Sequence, residues 1–164
     1  MGYEGSYTWR LRQHVGHELL VMPGAQVVVV DAEERMLFQR RRDSGEWEFP
    51  GGAAEPGSSF RSTAVQELFE EAGLRVRDHD LVPFASLSEP DVHVITYPNG
   101  DRMHCFALCF EARCWDGQVR VEPEEVAEVT FRRPDDAPEP LQAQTRVVLE
   151  LYLAYRASGV FQAR

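Results

Sequence analysis

Hydrophobic positions along the chain fall into two periods. Gln26–Asp31 encloses four consecutive valines, a β-branched run that predicts a buried strand. Glu18–Met22 reads as a shorter strand stopped by Pro23-Gly24. Asp31–Glu34 is a polar turn, and Met36–Arg40 predicts a second strand joined to the first by a hairpin. The period then changes. Ser59–Ala72 holds no Gly or Pro, and Phe60, Ala64, Leu68 and Ala72 recur at every fourth position. That spacing predicts a helix with Ser58 or Ser59 as N-cap and Gly73 as its C-terminal stop. Strands are expected again at Leu74–Val76 and Leu81–Leu87. Val92–Tyr97 and Met103–Ala112 form a predicted hairpin around Pro98-Asn99-Gly100-Asp101, followed by a strand at Glu128–Phe131. Leu141–Tyr155, with no breaker, predicts a C-terminal helix. Tyr7–His14 is long enough for one or two helical turns. Strands interleaved with two helices predict an α+β or α/β fold, a sandwich with a central mixed sheet.

A chain of 164 residues fits one domain over 1–164, and no repeat or linker divides it. No apolar run reaches the roughly 20 residues of a membrane span. The first residues lack the order of a secretion signal, so a cytoplasmic location and no membrane partner are expected. Net charge is −10, from 27 acids against 17 bases, which argues against a nucleic-acid polymer as partner. A small phosphorylated ligand stays compatible if a cation or an arginine cluster receives it. Cys105, Cys109 and Cys114 have no zinc spacing and read as free thiols. The five histidines show no paired metal spacing. Serine-hydrolase and P-loop motifs are absent.

The chemistry concentrates on the central helix. Glu67, Glu70 and Glu71 fall within an arc of roughly 100°. Such i,i+3 and i,i+4 like-charge pairs destabilise a helix by about 0.2–0.5 kcal/mol each. The acids also crowd the helix C-terminus, where the macrodipole disfavours anions. A solvated acidic face is one reading. The other is a divalent cation: hard oxygen donors suit Mg²⁺, which keeps waters and takes further ligands from phosphates. Ahead of the helix, Pro50-Gly51-Gly52 and Pro56-Gly57 allow close backbone approach.

Loop and helix together resemble the Nudix box, G-x5-E-x7-R-E-U-x-E-E-x-G-U with U aliphatic. Started at Gly52, the pattern runs to Leu74 and falls on Glu67, Leu68, Glu70, Glu71, Gly73 and Leu74. The lead-in Trp47-Glu48-Phe49-Pro50-Gly51-Gly52 also looks like this family. Two positions depart: Ser58 stands for the first glutamate and Gln66 for the arginine. The loss of an acid and a base together leaves two readings, a neutral Ser58–Gln66 hydrogen-bonded substitute or a weakened site.

The resemblance implies an α/β/α sandwich and Mg²⁺- or Mn²⁺-dependent hydrolysis of a nucleoside diphosphate linked to another moiety. It implies Glu67 and Glu71 as metal ligands, Glu70 as a third ligand or water-orienting group, and the Gly51 carbonyl as a further ligand. A later acid, Glu125, is the candidate general base; a solvated acidic loop is the alternative there. A homodimer is common among such proteins. Arg40 and Arg42 share a strand face and are candidate phosphate contacts or plain surface charges. Trp47 is a candidate base-stacking residue or a core residue. Substrate hints conflict: the Trp-Glu-Phe-Pro-Gly-Gly stretch looks MutT-like, for nucleoside triphosphates, whereas Pro90 stands near where ADP-ribose-cleaving members carry a proline. A catalytically weak nucleotide-binding or sensor domain is the alternative function.

Overall fold

The computed structural model describes residues 4–164. The strands are β1 (Leu19–Val29), β2 (Met36–Arg41), β3 (Trp47–Glu48), β4 (Gly51–Ala53), β5 (Val82–Leu87), β6 (Val94–Thr96), β7 (Arg102–Ala112), β8 (Val126–Arg132) and β9 (Gln162–Ala163). The helices are α1 (Tyr7–Val15), α2 (Phe60–Ala72), α3 (Pro90–His93) and α4 (Ala143–Ser158). A mixed sheet runs β4-β1-β7-β5-β9, with β6 also on β7; a smaller antiparallel sheet runs β3-β2-β8. Among the described residues no helix is long and apolar enough to cross a membrane.

The valine run explains the layering. Successive strand side chains point to opposite faces. Val27 and Val29 therefore join Ala64, Leu68 and Ala72 of α2, whereas Val28 and Val30 join Val148, Leu149 and Tyr152 of α4. Phe38 and Phe49 stack in the second cluster with ring centroids 4.8 Å apart. Helices on both faces of a mixed sheet make the expected sandwich.

Ser59 caps α2 by accepting from the Ser62 N–H, with the reciprocal bond from its own N–H to Ser62. Gly73 ends the helix at φ 73°. The β6–β7 hairpin closes through Tyr97 N–H to Asp101 O at 2.8 Å, and the Asn99 side chain accepts from Asp101 N–H.

Four elements differ from the sequence expectation. Leu19–Val29 is one strand through Pro23-Gly24, because β7 pairs with it over its whole length. The proline is tolerated there since β4 covers only Gly24–Gln26 on the other side. The β1–β2 hairpin shrinks to a single bridge, Val30 to Met36, because β1 is already flanked by β4 and β7 and β2 leaves for the second sheet. Leu74–Val76 forms only one bridge, Arg75 to Asp116. Val92 and His93 belong to one helical turn begun by Pro90, so the hairpin strand starts at Val94.

Candidate active site

The last turns of α2 carry Glu67, Glu70 and Glu71, and its terminal carbonyls need partners. The segment 113–125 supplies them. Arg120 N–H donates to Ala72 O at 2.9 Å, Glu122 N–H donates to Glu71 O at 3.2 Å, and Arg75 and Asp116 exchange two backbone bonds. Capping the helix in this way sets the acidic stretch after Val121 opposite the helix acids. The result is a cleft of about 380 Å³ lined by Glu67, Phe69, Glu70, Glu71, Arg120, Glu122, Glu124 and Glu125. The four acids singled out from sequence, Glu67, Glu70, Glu71 and Glu125, are thus brought to one place.

Strand β4 forms the base of the site. Gly51, expected to offer its carbonyl, contacts the acids through its N–H, which donates to Glu71 Oε2 at 2.9 Å. A Cβ on Gly51 would clash with Ala25 O and lie 2.9 Å from Gln26 Cα. A Cβ on Gly52 would instead meet the Glu67 carboxylate at 2.6–2.7 Å. These two contacts predict different outcomes. Gly51→Ala must move backbone and is expected to cost about 1–3 kcal/mol, read as a lowered thermal midpoint. Gly52→Ala meets only a movable side-chain end, so its midpoint should stay near the parent's while displacement of Glu67 lowers activity.

Electrostatics set these acids apart. Burial, with Glu125 and Glu55 as like-charge neighbours, pushes the Glu67 carboxyl up to about 7. Burial and the charges of Glu48 and Glu67 push Glu71 well above the usual carboxylate range, against the opposing Gly51 hydrogen bond. The site holds more negative charge than its surroundings neutralise. Among the described residues no three acids, imidazoles or thiols form a ready-made metal cage. The donor set nevertheless fits Mg²⁺, since these are hard oxygens. Such an ion needs one or two carboxylates and completes its shell from water and phosphate. Gln66 Nε2 donates to Glu70 Oε1 at 3.0 Å. Among the described residues no hydrogen bond joins Ser58 to Gln66, whose amide turns to Glu70.

Of the two readings given for each, Arg40 and Arg42 fall on the surface-charge one and Trp47 on the core one. Arg40 is exposed, lies 3.9 Å from Glu128 and stands over the Trp47 ring; Arg42 is exposed too. Arg41 is the inward one. It pairs with Glu48 at 3.2 Å and with Asp43 at 2.8 Å, and it lines a second cavity of about 100 Å³ beside Gly51 and Gly52. Neither Arg40 nor Arg42 lines that cavity, and the β2–β8 register slips between Arg40 and Arg41. Trp47 is 7% exposed in the α4-side core, so its indole packs the interior and offers no stacking face.

Sequence reasoning passed over Glu48. It is buried, accepts from Gln39 Nε2 at 3.2 Å, and has its pKa raised by burial. A lone acid between Trp47 and Phe49 was the available signal. Gln26, whose buried Oε1 has no hydrogen-bond partner among the described residues, lines the same second cavity. His93 is a satisfied buried histidine, with Nδ1 3.0 Å from Leu87 O.

A mixed-sheet sandwich with glutamates at the end of a capped helix beneath a glycine strand defines a Nudix-type architecture. The NUDIX domain pattern matches residues 21–152, and the chain belongs to that family. A MutT-like protein of Streptomyces ambofaciens is 32% identical over 112 residues, 68% of this chain and 64% of the relative. An RNA pyrophosphohydrolase of Pectobacterium carotovorum is 36% identical over 56 residues, 34% of this chain and 32% of the relative. The matched stretches thus span between about a third and two thirds of these relatives' lengths. The crystal structure of a MutT NUDIX hydrolase from Burkholderia pseudomallei shares the fold. Its TM-score is 0.67 at 24% identity, covering 80% of this chain and 97% of that one.

Proposed function

We propose that the protein is a divalent-metal-dependent hydrolase, using Mg²⁺ or Mn²⁺, that cleaves the P–O–P bond of a nucleoside diphosphate linked to another moiety. Nucleoside triphosphates and ADP-ribose are the leading substrate classes. One observation carries the reading: the α2 acids and Glu125 share one cleft, where Glu71 is buried and Glu67 half-buried, both with raised pKa values. The name of the RNA pyrophosphohydrolase relative supports pyrophosphate-cleaving chemistry.

Glu67 and Glu71 would hold the cation, with Glu70 beside them. A bound divalent ion would neutralise phosphate charge and make nearby water more acidic. Glu70 or Glu125 orients the attacking water and accepts its proton as the water oxygen bonds to phosphorus and the bridging P–O bond breaks. Gly51 N–H holds the Glu71 carboxylate in place during this step. The second cavity, with Arg41, Glu48 and Gln26, adjoins the same glycines and would receive the nucleoside side of the substrate. Three free cysteines fit action in a reducing, cytoplasmic compartment.

The test is Mg²⁺-dependent phosphate release, with added phosphatase, across nucleoside triphosphates, ADP-ribose, nucleotide sugars and dinucleoside polyphosphates. Turnover of one class, abolished by chelator, is the expected result. Nucleotide binding without turnover of any substrate would favour the second reading, a sensor domain weakened at Ser58 and Gln66.

A further inference from the structure

Arg120 is the one cation lining the acidic cleft among the described residues. Its position is built rather than incidental. Its N–H is bound to Ala72 O, and a Cβ on Gly73 would lie 3.0 Å from Arg120 Cβ, so its backbone sits directly on the helix end. The Arg120 guanidinium lies 6.0 Å from the centre of the Phe69 ring, and that of Arg75 lies 4.5 Å from the same ring. Neither guanidinium has a carboxylate within ion-pair distance among the described residues, although six glutamates line the cleft beside Arg120. Two like charges share one ring, and one of them borders the space where phosphate must enter. A guanidinium presents five N–H donors in a fork suited to phosphate oxygens.

We propose that Arg120, which borders the Phe69 ring together with Arg75, binds a phosphate group of the substrate in the acidic cleft. This rests on the pyrophosphate-cleaving reading above. The acids attract a cation and repel a bare polyphosphate, so an exposed arginine anchored there through its backbone supplies attraction that the carboxylates cannot. It also provides a second point of attachment that orients the scissile bridge. The competing role is structural: a cation near the C-terminus of α2 complements the helix dipole whether or not substrate is present.

The two roles separate in binding measurements on the whole protein. The probe is imidodiphosphate, the P–N–P analogue of pyrophosphate, titrated calorimetrically with Mg²⁺ present. Mn²⁺ alone is titrated in parallel. Arg120→Ala should weaken imidodiphosphate about tenfold, the scale of one charge-assisted contact. Arg120→Lys should lie between that variant and the parent. Mn²⁺ alone should bind Arg120→Ala at least as tightly as the parent, because a positive charge has left an acidic cleft. Imidodiphosphate affinity within twofold of the parent would overturn the assignment. So would a parallel loss of Mn²⁺ and imidodiphosphate binding with a lowered thermal midpoint, since that pattern belongs to a purely structural arginine. A parent protein that fails to bind Mg²⁺-imidodiphosphate would overturn it as well. Arg120-dependent binding without turnover of any substrate would support the assignment while removing the hydrolase reading.

Discussion

Glu71→Gln is expected to lower turnover by at least about 100-fold, the scale on which removal of one charge-stabilising group acts in an active site. The fold should survive the change. A glutamine side-chain oxygen can still accept the Gly51 N–H that now reaches Glu71 Oε2 at 2.9 Å. The substitution also deletes a buried charge that its neighbours Glu48 and Glu67 already disfavour. Gln66→Ala should cost about tenfold or less, because it removes a single hydrogen bond to Glu70. The check is kcat for both variants beside the parent, with thermal midpoints measured in chelator. Equal turnover by Glu71→Gln and the parent would remove Glu71 from the metal site.

The second large effect is on stability against pH. A carboxyl whose folded-state pKa lies above its unfolded value binds more protons when folded. Its full stability is present below the unfolded pKa and is lost as pH rises to the folded one. For Glu67 that window runs from its ordinary value of 4.5 to about 7. The loss from this one group is on the order of 3 kcal/mol, and Glu71 shifts in the same direction. In chelator the protein should therefore melt at a lower temperature at pH 8 than at pH 5. Saturating Mg²⁺ at pH 8 should restore much of the difference, since binding only the folded state adds stability by mass action. Thermal melts across this range with and without Mg²⁺ measure both effects. A midpoint that rises with pH in chelator would contradict the charge balance described for Glu67 and Glu71.

The sequence revealed the layers and most of the site for a physical reason: both are local. The valine run and the four-residue spacing of α2 are periodic signals, and Glu67, Glu70 and Glu71 lie within two turns of one helix. What stayed hidden depends on long-range pairing. Nothing local says that β7 carries β1 through Pro23, or that β2 abandons β1 for β8. Arg41 against Arg40 and Arg42 is a question of which strand face meets the cavity. The sheet register, which slips between Arg40 and Arg41, decides that. Trp47 is a similar case, because Leu141 and α4 cover it from almost 100 residues away. Arg120 reaches the cleft only through backbone bonds to the end of α2, and no motif surrounds it.

Whether the α2 acids are a metal site is decided by calorimetric Mn²⁺ titration of the parent and Glu71→Gln. Run near pH 7 in two buffers of different ionisation enthalpy, it counts both metal and protons. The parent should bind Mn²⁺ with proton release, because burial raises the Glu67 carboxyl to about 7 and the metal takes the deprotonated form. Glu71→Gln should bind much more weakly. Equal affinity in both proteins, or binding by the parent without proton release, would contradict a metal site at these acids.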